Sequence, residues 1–160
     1  MAIIPAVIRA GTPRVNPCCV RLEHLESELT KAVCVFVVDD DALVMLTIEH
    51  ALEEGGFAYK SASSAAEAAD LFAEFGDECR ALITDVNLGS GARGWDVARS
   101  ARQMNPNLPV VYVTGDSSHE WRAQGVPDSI LIEKPFVAVQ IVHAVASLLN
   151  AEPPLQPEQP

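Results

Sequence analysis

A chain of 160 residues is near the size of one domain and too short for two good cores. Its net charge is −11, and four of its 11 Lys and Arg residues (Arg9, Arg14, Arg21, Lys31) lie in the first 31; no basic stripe remains to neutralise phosphates, so direct nucleic-acid binding is not expected. No apolar run reaches the roughly 20 residues of a bilayer span, and Met1–Ala10 lacks the basic start of a secretory signal, so a cytoplasmic protein without a membrane partner is expected.

Residues 1–32 read as an N-terminal extension. Pro5, Gly11, Pro13 and Pro17 interrupt it, and the spacing of Leu22, Leu25 and Leu29 then predicts a helix. Residues 33–150 alternate short apolar runs with helical patterns. Val33–Val38 is a continuous apolar run rich in β-branched residues, the pattern of a strand covered on both faces. Asp41–Glu54 follows as a helix stopped by Gly55 and Gly56, and Phe57–Ala62 as a weaker strand. Ser63 or Ser64 caps a helix to about Phe75. Ala81–Thr84 is the third strand, Gly89, Gly91 and Gly94 mark a mobile loop, and a helix runs from about Trp95 to Met104. Val110–Val113 is the fourth strand, Ser118–Gln124 a short helix, Ser129–Ile132 the fifth strand, and Phe136–Asn150 the last helix. Residues 151–160, AEPPLQPEQP, predict a disordered tail. Strands alternating with helices imply a parallel sheet with helices on both faces.

The chemistry stands at the strand ends. Each strong strand closes on residues its apolar pattern does not explain: Asp39 and Asp40 after the first, Asp85 after the third, Thr114 after the fourth, Lys134 after the fifth. In a parallel sheet the carboxyl ends share one edge, where open α/β folds bind ligands. Three carboxylates at one edge repel each other unless a cation compensates, and oxygen-only donors favour a hard ion such as Mg2+. Asp85 can then stay ionised and act as an oxygen nucleophile toward phosphorus, with Lys134 and Thr114 on the phosphoryl oxygens. Each residue alone has an ordinary reading: Asp40 or Asp41 can cap the next helix, Thr114–Gly115 can be a turn, and Lys134 can be a solvated lysine. The ordered set is the specific signal.

Four blocks carrying these residues, VFVVDDDALV, LITDVNL, PVVYVTGDS and ILIEKPF, resemble the response-regulator receiver (chemotaxis-regulator-like) family, with every block in family order across residues 33–150. The resemblance implies a flavodoxin-like α/β fold, a five-stranded parallel sheet in the order 2-1-3-4-5. It implies Asp85 as phosphoacceptor, Asp40 as direct metal ligand, and Asp39 as a second acid reaching the metal through water. It further implies metal coordination by the Asn87 carbonyl, Thr114 as switch hydroxyl, Lys134 as the phosphoryl-binding lysine, and a cis Lys134–Pro135 bond. Three positions depart from the pattern. Leu131 stands where an aromatic ring is usual, NLGSGARGW lacks the usual proline, and Gly115 follows Thr114 in place of the commoner alanine.

The implied partners are a sensor histidine kinase or a histidine phosphotransfer protein, and a downstream protein. With ten residues after the domain, a stand-alone receiver without an output domain is expected. Leu43 and Leu46 fall off the core row Val44–Ile48–Leu52, as ordinary exposed leucines or as a docking site for the phosphohistidine-bearing hairpin. FVAVQIVHAVASLLN is apolar nearly all round, which predicts burial on two sides, by the leucine row of residues 20–32 or by a second copy in a homodimer. His24, His50, His119 and His143 have no catalytic or metal spacing; Cys18, Cys19, Cys34 and Cys79 read as reduced thiols, with redox sensing by Cys18–Cys19 the alternative.

Two other functions compete. One is a Mg2+-dependent phosphohydrolase using an aspartyl phosphate, but its acid order is reversed here, and Asn87 stands where its second carboxylate would. The other is a degenerate receiver kept as an interaction module. No enzyme turnover beyond self-phosphorylation and slow dephosphorylation is expected.

Overall fold

The structure is a computed structural model that describes residues 32–89 and 91–151. The helix and cysteine pair expected before residue 32 and the tail from residue 152 lie outside the described residues.

Five strands form one parallel sheet: β1 (Cys34–Val38), β2 (Ala58–Ala62), β3 (Cys79–Asp85), β4 (Val110–Thr114) and β5 (Ile130–Glu133). Their order is β2-β1-β3-β4-β5, as the family resemblance implied. The helices between them are α1 (Ala42–Glu54), α2 (Ala65–Phe75), α3 (Gly94–Met104), α4 (Trp121–Gln124) and α5 (Ala138–Asn150).

Side chains alternate across the strands and so build two cores. Phe36, Val38, Leu82, Val110 and Tyr112 face α2 and α3, where Ala68, Phe72, Trp95, Ala98 and Ala101 close the layer. Val35, Val37, Ile83, Val111 and Val113 face α1 and α5, meeting Ile48, Ala51, Leu52, Ile141, Ala144 and Val145. Burial on both faces explains why β1 and β4 are unbroken apolar runs. Each large aliphatic side chain buried there contributes about 1.5–3 kcal/mol.

Caps fix the helix starts. The Asp41 carboxylate accepts from the N–H groups of Leu43 (2.9 Å) and Val44 (3.3 Å), so Asp41 caps α1 and Asp40 is free of that duty. At α2, Ser64 Oγ accepts the Glu67 N–H at 3.2 Å, while Glu67 accepts from the N–H and hydroxyl of Ser63. Those two donors hold the Glu67 carboxyl below its ordinary pKa.

Two sequence expectations are corrected. β3 begins at Cys79 rather than Ala81: exposed Arg80 interrupts the apolar run at a register shift in the pairing with β1, and Cys79 still pairs with Cys34 beyond it. The last helix begins at Ala138 rather than Phe136; Gln140 Oε1 accepts the Val137 N–H at 2.8 Å and closes its first turn. That helix buries the stripe Ile141, Ala144 and Val145 against the sheet and leaves Val139 67% exposed; the second covering expected from residues 20–32 or a second copy lies outside the described residues.

Candidate functional site

The site lies at the carboxyl edge of the sheet, and backbone pairing carries it there. The ladder continues one residue past the strands: Asp39 N–H donates to Ala62 O (3.2 Å), Val86 N–H to Val113 O (3.0 Å) and Lys134 N–H to Thr114 O (2.8 Å). Asp39, Asp85, Thr114 and Lys134 are therefore held by main-chain bonds, not by loops.

Carboxylate oxygens of Asp39, Asp40 and Asp85 lie within 4.8 Å of one another. Asp39 and Asp85 are buried and Asp40 is exposed. Lys134 Nζ reaches between the two buried acids, 3.3 Å from Asp39 Oδ2 and 3.5 Å from Asp85 Oδ2. Asp39 Oδ1 also accepts the Asp41 N–H at 2.8 Å. The Lys134–Pro135 bond is cis.

Burial sets the electrostatics. Desolvation raises the Asp85 pKa above the ordinary carboxylate value; Lys134 pulls it down, Asp39 pushes it up, and the N–H groups of Asn87 and Val86 lower it, with a net rise. Asp39 is raised too: desolvation outweighs the Asp41 N–H and Lys134, and Asp40 adds repulsion. One ammonium does not offset three carboxylates. A donor set of oxygens only, short of positive charge and partly out of water, fits a hard divalent cation.

Thr114 is fully buried at the end of β4, one residue beyond Val113, the pairing partner of Asp85. Its Oγ1 accepts the Ser117 N–H at 2.9 Å. Asn87 lies two residues after Asp85, its side chain donating to Ser117 Oγ at 3.2 Å and accepting from Arg93 at 3.4 Å. Leu131, on β5, is half-buried against the α2–α3 core.

Three neighbours of the site were given no part in it by the sequence reading, which took Gly94 for a mark of a mobile loop where it in fact opens α3. Ser117 and Arg93 act only through the folded proximity of two loops. Gly94 is different: a Cβ there would sit 2.0 Å from Asp85 O, so only glycine fits. A glycine directly before a helical pattern was its one sequence signal.

Comparison with known proteins agrees with this geometry. A family model, response regulator receiver domain, matches residues 35–146. A solved response regulator receiver protein from Sinorhizobium medicae WSM419 is 40% identical with a TM-score of 0.72, covering 76% of this chain and 97% of that one. The C4-dicarboxylate transport transcriptional regulatory protein DctD of Rhizobium meliloti (strain 1021) is 32% identical over 119 residues, 72% of this chain and 25% of the relative. The transcriptional regulatory protein PrrA of Mycobacterium tuberculosis is 33% identical over 119 residues, 72% of this chain and 49% of the relative. The chain spans less than half the length of either regulator. Strand order, strand-end acids and sequence match converge, and the chain belongs to the response regulator receiver domain family of two-component signalling.

Proposed function

We propose that Asp85 accepts a phosphoryl group from the phosphohistidine of a sensor histidine kinase or phosphotransfer protein in the cytoplasm. The supporting observation is Lys134 Nζ set between Asp39 and Asp85 at 3.3 and 3.5 Å, with Asp40 completing a cluster of three acids. An Asp85 oxygen attacks phosphorus, the P–N bond to the imidazole breaks, and the electron pair leaves with the ring nitrogen. The product is a mixed anhydride of carboxylate and phosphate.

Asp39, Asp40, Asp85 and the Asn87 carbonyl would hold Mg2+, which when bound neutralises charge gathering on the phosphoryl oxygens. Lys134 contributes a second positive charge to those oxygens, and the Thr114 hydroxyl donates to a third. Because its role is one transfer followed by slow hydrolysis, the chain is a signalling receiver rather than a turnover enzyme.

The donor's docking site is the outer face of α1. Leu43 and Leu46 are 76% and 62% exposed there, and a groove lined by Leu43, Val44, Thr47, Pro135 and Phe136 opens beside Lys134. An amphipathic helix carrying the phosphohistidine fits that groove, with its apolar residues on the leucines.

Incubation with a small phosphodonor and Mg2+ tests the reading by mass. A gain of one phosphoryl group on wild type and none on Asp85→Ala supports it. Continuous phosphate release favours the hydrolase, and no gain favours an interaction module.

A further inference from the structure

We propose that Arg93 is a positioning residue: it closes a polar clasp between the loop after Asp85 and the segment after Thr114, and so sets how tightly the acidic site holds a divalent cation. This rests on the cation-dependent receiver reading above.

The loop needs something to hold it. It leaves β3 at Asp85 and returns through an isolated bridge between Asn87 and Arg93, with Gly94 N–H donating to Val86 O at 2.9 Å. Gly89 and Gly91 both take positive φ, +62° and +84°. Glycine makes such turns accessible but leaves the loop free to leave them. Yet its backbone lies hard against the site, since a Cβ on Gly89 would stand 3.1 Å from Asp40 Oδ2.

Arg93 supplies the constraint. Its Nη1 lies 3.4 Å from Asn87 Oδ1 and 3.7 Å from Glu120 Oε1. Asn87 Nδ2 donates to Ser117 Oγ at 3.2 Å, and Ser117 N–H donates to Thr114 Oγ1 at 2.9 Å. One guanidinium thus ties the loop that carries the proposed ligand position Asn87 to the segment that follows Thr114. Both contacts come from one nitrogen whose N–H directions are fixed by the rigid guanidinium plane, a preorganisation that a freely rotating ammonium lacks.

A guanidinium near a cation site also repels the cation. Arg93 is paired with Glu120 and its side chain is 46% exposed, so solvent and its partner screen that charge. Ordering of the loop is the larger effect.

The test is Mn2+ titration of the full chain, read by the electron paramagnetic resonance signal of the free ion, with amide exchange at Gly89, Gly91 and Gly94. Arg93→Ala and Arg93→Lys should each raise the Kd for Mn2+ about three- to tenfold, below the range for buried outer partners because Arg93 is half-exposed. Exchange at the three amides should quicken in both, and Ser117→Ala should add little to Arg93→Ala. An unchanged Kd in Arg93→Ala overturns the proposal, and so does tighter binding, which would mark Arg93 as a repelling charge only. If wild type binds no Mn2+ and Asp85 takes no phosphoryl group, the cation reading itself has failed and the clasp falls with it.

Discussion

Lys134 Nζ stands 3.5 Å from Asp85 Oδ2, although β4 separates the strands that carry them. The contact places a fixed positive charge where phosphoryl oxygens would gather, in surroundings that water only partly reaches. Lys134→Met should slow phosphorylation by a small phosphodonor about 100-fold or more, the usual cost of losing a preorganised charge partner. Mn2+ should bind Lys134→Met as tightly as wild type or more so, because a competing cation has left. Single-turnover mass measurements and the Mn2+ titration check the two halves.

The raised pKa values of Asp39 and Asp85 make the cation-free protein sensitive to pH. For an acid whose folded pKa lies above its unfolded value of 3.8, the folded state binds the extra proton, so stability falls as pH rises from 3.8 through the folded value. Asp85→Asn removes one such group. Without divalent cations it should be more stable than wild type at neutral pH, a gap that closes as pH falls toward 3.8. Saturating Mg2+ should shrink the gap by stabilising wild type alone. Urea unfolding at a series of pH values, with and without Mg2+, measures it.

Two glycines beside the site should behave oppositely. An added Cβ on Gly94 meets backbone, Asp85 O at 2.0 Å and Asp85 C at 2.9 Å, and backbone cannot step aside cheaply. Gly94→Ala should cost about 3 kcal/mol and weaken cation binding. Around Gly115 an added Cβ meets nothing within 4 Å, so Gly115→Ala should stay within about 0.5 kcal/mol of wild type. Denaturant midpoints of the two variants decide the matter.

Leu43 and Leu46 offer a separation of partner from chemistry. Both are exposed, so Leu43→Glu and Leu46→Glu should leave the unfolding midpoint unchanged. Phosphotransfer from a phosphohistidine protein should slow about tenfold, while the small phosphodonor rate stays at the wild-type value. Equal slowing of both rates would count against docking on α1.

Trp95 holds a cost that its replacement can relieve. Among the described residues its Nε1 is buried without a hydrogen-bond acceptor, while its ring packs on Tyr112 with centroids 4.5 Å apart. Trp95→Phe should therefore destabilise by less than about 2 kcal/mol, since the lost volume is offset by removal of an unpaired donor. Urea unfolding of the variant beside wild type measures the difference.

The strand ends were legible in the sequence because four apolar runs each stop on Asp, Thr or Lys in order, a set that caps and turns explain singly but not together. Asp39, Asp40, Asp85 and Lys134 meet as that pattern required. The strand order came from family likeness alone, as alternating strands and helices do not fix it. Arg80 hid the start of β3, because a run of hydropathy says nothing about backbone pairing. Leu43 and Leu46 fell outside the core row, as expected, while Ala51 was passed over because a small side chain leaves little periodic signal. Arg93 and Ser117 were invisible for a deeper reason: loops that meet only in three dimensions leave no local trace.

α3 grips the far end of the β4–β5 connection from behind. Arg99 bonds Gln124 through its carbonyl (2.9 Å) and its side-chain oxygen (2.6 Å), and Arg102 bonds Pro127 O at 2.9 Å. A short tether anchored at its far end cannot pass displacement along its length. If phosphorylation displaces Thr114, the movement is expected to spend itself before Gln124, in the stretch from Asp116 to Arg122.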